Sequence, residues 1–224
     1  MNRILDLSAA LGLYDWWAKG NLGEVYDTLV ELVELHGDEE ILDVGCGTGI
    51  LGSRLAQTSD GIKVCGLDTG PHMIKDAAKR VQGHRHQAEY RVGTVTRLPY
   101  ADGRFDVVVS CLLFHLLHGP EKELALREIF RILKPGGRYV CAEFETVPVG
   151  LLRRGRSVYP SDLIETVGFN VDAQLAGPSI TKHRPVVYRA LARPHIDCPR
   201  SRSLPERRHP HLGQPGTDER ESPQ

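Results

Sequence analysis

From residue 25 to residue 35 the chain reads Val25-Tyr26-Asp27-Thr28-Leu29-Val30-Glu31-Leu32-Val33-Glu34-Leu35, with apolar positions recurring at helical spacing. That period lines them along one helix face. The same pattern covers about residues 4 to 36 and breaks at Gly20-Asn21-Leu22-Gly23, so two helices are predicted there. Beyond residue 40 the pattern changes. Short apolar runs at 41–45, 62–67, 88–93, 105–111 and 137–144 read as strands, and stretches at 49–58, 71–82 and 121–133 read as helices between them. Strands alternating with helices predict βαβ units, right-handed crossovers and a mainly parallel sheet covered on both faces, an α/β three-layer sandwich. Breakers fall where this plan needs them: Pro71 can open a helix, Asp102-Gly103 marks a turn, and Pro135-Gly136-Gly137 closes a helix before a strand. A helix at 161–167 leads into two further strand candidates, 169–176 and 185–192.

Composition trims the options. The 224 residues allow one substantial core with an appendage, and 41% hydrophobic with 25% charged residues is ordinary for a globular domain. A net charge of −1 gives no global field to steer the chain toward nucleic acid or anionic lipid, so no nucleic-acid partner is expected. No run approaches the roughly 18 apolar residues of a membrane span, and Met1-Asn2-Arg3-Ile4-Leu5-Asp6 meets an acid too early for a secretory leader. The five cysteines form no C-x-x-C pair, and four lie in or beside apolar runs, as buried thiols of a cytoplasmic protein do. His115 and His118 are spaced H-x-x-H without a glutamate partner pattern, so no metal is expected. From Pro194 the last 31 residues hold six prolines and five arginines and almost no large apolar side chain, which reads as a disordered tail.

Chemistry concentrates at Glu40-Ile41-Leu42-Asp43-Val44-Gly45-Cys46-Gly47-Thr48-Gly49-Ile50, an apolar run ending in three glycines and followed by helical periodicity. That is a strand, a glycine turn and a helix start, where the backbone can approach a nucleotide-like ligand closely. The dinucleotide fingerprint G-x-G-x-x-G needs its third glycine one residue later, where this chain has Ile50, which argues against a nicotinamide-dependent oxidoreductase. Val64-Cys65-Gly66-Leu67-Asp68 then ends a second strand in an acid, placed to accept hydrogen bonds from both hydroxyls of an adenosine ribose.

The order ILDVGCGTG, VCGLD, GRFDVVVS and EIFRILKPGG resembles the class I S-adenosylmethionine (SAM) dependent methyltransferases, in particular the small-molecule branch with ubiquinone-biosynthesis-like enzymes. The resemblance runs from about residue 38 to 145 and continues more weakly to about 192. It implies a Rossmann-like, seven-stranded sheet whose last strand is antiparallel, with 169–176 and 185–192 as its final hairpin. It also implies SAM as cofactor and S-adenosylhomocysteine (SAH) as product. By the same resemblance Asp43 and the loop Gly45, Cys46, Gly47, Thr48 and Gly49 approach the amino-acid end of SAM. Asp68 would hold the ribose, and Thr69 and Met73 would flank the adenosine. Gly93-Thr94-Val95 stands where the family often reads G-D-A, so a neutral hydroxyl replaces an adenine-binding carboxylate and the Val95 N–H is left to meet the ring. This predicts an anchor weaker by about 1 kcal/mol.

Ligands of open α/β sheets bind beyond the carboxyl ends of strands near the topological switch point. That puts Ser110, Cys111 and His115, at the end of the fourth strand, beside the donor methyl, with His115 as the candidate general base. The predicted N-terminal helices, residues 1–37, form a cap over the 38–193 domain, and 194–224 is the tail. Tyr14, Trp16 and Trp17 concentrate aromatic surface on that cap, so Tyr14 and Trp17 are acceptor-site candidates. Arg154, in Arg153-Arg154-Gly155-Arg156, is a candidate for an anionic acceptor. The expected activity is methyl transfer to a small-molecule acceptor by in-line displacement. The alternatives are a degenerate fold that binds SAM or another ligand without turnover, and a protein or RNA methyltransferase. The latter is disfavoured because Ser110-Cys111-Leu112-Leu113 stands where an N/D-P-P-Y motif would be.

Overall fold

A computed structural model describes residues 13–81, 88–144, 161–177, 180 and 185–192. The tail from 194, the first part of the predicted cap and the basic stretch containing Arg154 lie outside the described residues.

The two N-terminal helices are α1, Leu13–Asn21, and α2, Gly23–Val33. The chain then alternates through β1 (Glu40–Val44), α3 (Ile50–Ala56), β2 (Lys63–Asp68), α4 (Pro71–Arg80), β3 (Ala88–Val92) and β4 (Phe105–Cys111). It continues through α5 (Gly119–Ile132), β5 (Leu133–Phe144), α6 (Ser161–Val167), β6 (Phe169–Ala176) and β7 (Pro185–Ala192). The sheet order is β3-β2-β1-β4-β5-β7-β6, and β7 runs antiparallel to both its neighbours. Pairing among β1 to β5 is parallel throughout. Order reverses between β1 and β4, so their carboxyl ends flank the crevice at the switch point.

Side chains alternate across the sheet with period two. Ile41, Val64, Val107, Val109 and Val140 face α1, α2 and α3, where Ala18, Leu22, Val25, Leu29, Val33, Ile50 and Leu55 bury against them. Leu42, Val44, Leu67, Val108 and Tyr139 face the other way, onto Ala125, Leu126 and Ile129 of α5 and Ile164 and Val167 of α6. Each buried Leu, Ile or Val of this kind is worth about 1.5–3 kcal/mol against exposure, which makes the two-faced sheet the frame for everything that follows.

One expectation about element ends changes. Pro135-Gly136-Gly137 does not separate α5 from a strand beginning at 137, because β5 begins at Leu133, whose backbone is already extended (φ −75, ψ 140). Leu133 pairs with Phe105, and the register slips between Phe105 and Val107, so the Pro-Gly-Gly stretch sits inside the strand as an irregularity.

The loop before β4 is held by Arg131 of α5, which donates to the carbonyls of Tyr100 at 2.8 Å and Leu98 at 3.0 Å and pairs with Asp102 at 2.6 Å. Asp106 accepts from the Glu40 N–H and from Lys134. Both acids thus serve the architecture. On the opposite side Arg138 bonds the Glu34 carbonyl at 3.0 Å and the Glu39 carboxylate, seating the C-terminus of α2 on the sheet.

Candidate active site

The glycine loop is a backbone solution to a crowded crossing. Gly45, Gly47 and Gly49 all have φ in the left-handed region, +70, +53 and +76. A Cβ on Gly45 would lie 2.8 Å from Leu113 Cδ1, and one on Gly49 would lie 2.9 Å from the Ala77 Cβ. The Leu67 carbonyl accepts the N–H groups of Gly45 and Cys46, at 2.7 and 3.1 Å, and so fixes the loop to β2. Cys46 is buried against the sheet, its thiol pushed well above its ordinary pKa by burial.

Two carboxylates bracket the loop. Asp43 is 1% exposed; burial pushes its pKa up to about 7, against the favourable N–H of Gly52, and Asp68 pushes in the same direction as burial. Among the described residues its Oδ2 has no hydrogen-bond partner, and neither does the buried hydroxyl of Tyr90. Both lie beneath the loop: a Cβ on Gly52 would meet that hydroxyl at 2.9 Å and Asp43 Oδ2 at 3.5 Å. Asp68, at the carboxyl end of β2, is half-buried and accepts from Gly47 N–H at 3.1 Å and Gly70 N–H at 2.8 Å. Its carboxylate therefore stands at the loop with its orientation fixed.

The remaining cofactor candidates follow the strand ends outward. Thr69 is half-buried, directly after Asp68, and Met73 is buried on the first turn of α4. The Gly93 N–H donates to the Asp68 carbonyl at 2.9 Å, which brings the end of β3 beside β2. Thr94 is exposed, its hydroxyl engaged with Thr96 at 2.9 Å, and Val95 is buried.

The crevice has a roof. Tyr14 on α1 covers Gly47, with its hydroxyl 3.4 Å from where a Cβ would stand. The Tyr14 phenol is raised in pKa by burial first and then by Cys111 and Asp68, which places it over the mouths of β2 and β4, and it hydrogen-bonds Tyr26 of α2. Trp17 lies against Tyr14 with ring centroids 6.3 Å apart and is more than a third exposed; Trp16 faces solvent. Asp15, between them, accepts from the Thr48 hydroxyl and pairs with Arg80 at the end of α4, while Arg80 Nε donates to the Thr48 carbonyl at 2.9 Å. One helix turn thus ties the roof to the loop and to α4.

Across the crevice, Ser110 is fully buried and its hydroxyl meets that of Tyr139 at 2.8 Å, on the sheet face covered by α5. Cys111, the next residue, is half-buried on the opposite face, its thiol pushed up by burial and by the charge of Glu143. His115 follows a turn through Leu112, whose φ of +54 is unusual for a branched side chain. Its Nδ1 lies 3.3 Å from Glu143 Oε2, and its ring meets Phe144 edge-on at 5.9 Å. Glu143, Asp15 and Arg80 were not singled out from the sequence. Each is a single charged residue in an ordinary strand or helix, and its partner is at least 28 positions away.

The residues present fit a SAM molecule. The glycines leave backbone where side chains would stand, a buried carboxylate oxygen without a partner among the described residues lies under the loop, and a second carboxylate stands beside it. Within the described residues the structure brings together Tyr14, Asp43, the 45–49 loop, Asp68 and Cys111 at the ends of β1, β2 and β4, while His115 stands against Glu143 and Phe144 at the end of β5.

Residues 41–137 match the model of a methyltransferase domain family. The chain is 37% identical over 140 residues to a demethylmenaquinone methyltransferase of Clavibacter sepedonicus, a match covering 60% of this chain and 55% of that one. It is 36% identical over 142 residues to a malonyl-[acyl-carrier protein] O-methyltransferase of Hahella chejuensis, covering 63% and 49%. The chain spans about half the length of the curated relatives it matches. A SAM-dependent methyltransferase from Aquifex aeolicus superposes with a TM-score of 0.62 at 20% identity, over 75% of this chain and 89% of that one, which shows a common fold. Residues 41–137 thus match a methyltransferase domain family, and this part of the chain is similar to demethylmenaquinone methyltransferases.

Proposed function

We propose that the protein transfers a methyl group from SAM to a small-molecule acceptor, with residues 1–37 as a lid and 38–193 as the catalytic domain. The observation that carries this reading is the cradle of Gly45, Gly47 and Gly49 between the Asp43 and Asp68 carboxylates, closed from above by Tyr14. SAM, when bound, supplies an electrophilic methyl on a sulfonium that needs alignment and exclusion of water more than chemical activation. The loop and Asp43 hold the amino-acid end, Asp68 the ribose, Thr69 and Met73 the adenosine. The backbone of Val95 and the hydroxyl of Thr94 serve the base. Tyr14, Trp17 and His115 border the acceptor space. Buried thiols outside disulfides, such as Cys46 and Cys65, suit a cytoplasmic site of action.

The relatives' names point to acceptors that differ in their reacting atom, and the fold does not choose among them. The test is incubation of the full chain with SAM and a panel made of a reduced naphthoquinone, a malonyl thioester and an amino alcohol. SAH release and the gain of one methyl group by a panel member are the expected result. SAM binding without turnover on any small molecule, and methylation of protein or RNA instead, would overturn the reading.

A further inference from the structure

Glu143 has no task in the binding of SAM as described above, yet it is a carboxylate 1% exposed at the carboxyl end of β5. A buried carboxylate of this kind must be hydrogen-bonded or paired. Its two oxygens are used separately. Oε1 accepts the Phe114 N–H at 2.6 Å, and Oε2 faces His115 Nδ1 at 3.3 Å. Two successive residues therefore converge on one carboxylate. The turn that makes this convergence is the left-handed Leu112, whose N–H is bound to the Ala142 carbonyl at 2.8 Å. A left-handed non-glycine residue is strained. Such strain persists only where the surroundings over-determine it, as they do at functional sites. The Phe144 ring, edge-on to the imidazole at 5.9 Å, restricts the remaining rotation. Lys122 of α5 feels the charge of Glu143 as well.

We infer that Glu143 is a positioning residue that holds the neutral His115 ring as its Nδ1–H tautomer, leaving Nε2 as proton acceptor for the methylation substrate. Among the described residues Nε2 has no hydrogen-bond partner, and it is not one of the sealed-off polar atoms. An ionised carboxylate accepts only, so the nitrogen facing it must carry the proton and the other must hold the lone pair. The inference rests on the methyl-transfer reading and deepens it by naming the acceptor class: a molecule that gives up a proton as it is methylated, such as a hydroxyl, an enol or an acidic carbon. His115 Nε2 takes that proton while the acceptor's electron pair forms the bond to the methyl carbon. The sulfur–methyl bond breaks with its pair left on sulfur. The imidazolium so formed faces Glu143, and its proton passes to solvent afterwards. An acceptor with no proton to lose, such as a thioether, has no use for this arrangement.

The amide of a glutamine cannot replace the carboxylate on both sides. It has one oxygen, and if that oxygen keeps the Phe114 N–H, its NH2 group faces Nδ1 and forces the proton to Nε2. Nitrogen-15 NMR of the neutral His115 ring reads this directly in the full chain. The expected result is the Nδ1–H form in the native protein and the Nε2–H form in Glu143→Gln, with SAM affinity by calorimetry unchanged. A native protein in the Nε2–H form would overturn the inference, and that measurement needs no variant to fold. Persistence of the Nδ1–H form in a folded Glu143→Gln would overturn it too. Failure of SAM to bind the native protein would strike the methyl-transfer reading instead, while the tautomer still reports on the pair.

Discussion

Asp15 of α1 and Thr48 of the glycine loop are hydrogen-bonded side chain to side chain, although 33 positions separate them. The same carboxylate pairs with Arg80, and both partners of that ion pair are less than a third exposed. The roof helix is thus fastened to the loop it covers by one acid. Fasteners of this sort are worth about 1 kcal/mol each, enough to bias a lid without locking it.

Asp15→Ala is expected to lower the melting temperature slightly and to speed the release of SAM, measured by stopped-flow fluorescence of Trp17. The helix retains its apolar seat through Ala18, and the chain just beyond it through Leu22, so binding persists. An unchanged release rate would mean that α1 is a fixed wall and that the latch has no gating role.

Asp68→Ala removes a carboxylate that stands at the loop, and charge-assisted hydrogen bonds of this kind are worth about 1.5–3 kcal/mol. SAM affinity is expected to fall on the order of 10- to 100-fold. Asp102→Ala removes an acid whose partner is Arg131 on the far side of the β4 loop, and affinity should hold. Equal losses in the two variants would contradict the assignment of Asp68.

The buried Asp43 carboxyl makes stability depend on pH. Its folded pKa of about 7 lies above the ordinary 3.8, so between these values the folded chain keeps a proton that the unfolded chain has lost. Its contribution is fully present below about pH 4 and is lost as the pH rises through about 7. Denaturant midpoints should therefore fall across that window, and Asp43→Asn should flatten the slope. A native slope of opposite sign that is unchanged in Asp43→Asn would exclude Asp43 as its source.

Gly49→Ala and Gly103→Ala share left-handed backbone, at φ +76 and +62, but differ in surroundings. At Gly103 nothing lies within 4 Å of the added carbon, so only backbone strain of about 1–2 kcal/mol is expected. At Gly49 the carbon would press on Ala77 of α4, at 2.9 Å from its Cβ, and the loss in stability should be larger. Equal losses in urea titrations would show that α4 yields at no cost.

Most of the fold was legible because periodicity reports burial. Strands 169–176 and 185–192 occur at those bounds, and the runs at 41–45, 62–67 and 88–93 lie within a residue or two of β1, β2 and β3. The start of β5 was not legible, because Pro135-Gly136-Gly137 looks like punctuation. Only the packed sheet, with the Asp106 carbonyl 3.0 Å from a Cβ on Gly137, makes glycine there a requirement of close packing. The spacing of the glycine loop and Asp68 pointed to a nucleotide-like ligand, and only the resemblance of four motifs in order pointed from there to SAM. Glu143 did not, since an acid ending a strand is unremarkable until His115 and Phe114 are brought to it across the sheet. Ser110 read as part of the crevice, but strand alternation turns its hydroxyl into the core, toward Tyr139.

The central claim is that the crevice above β1, β2 and β4 holds SAM. Titration calorimetry of the full chain with SAM and with SAH tests it most directly. One-to-one binding of both below millimolar concentration, weakened by Asp68→Ala and not by Asp102→Ala, is the predicted result, and failure of both to bind would contradict it.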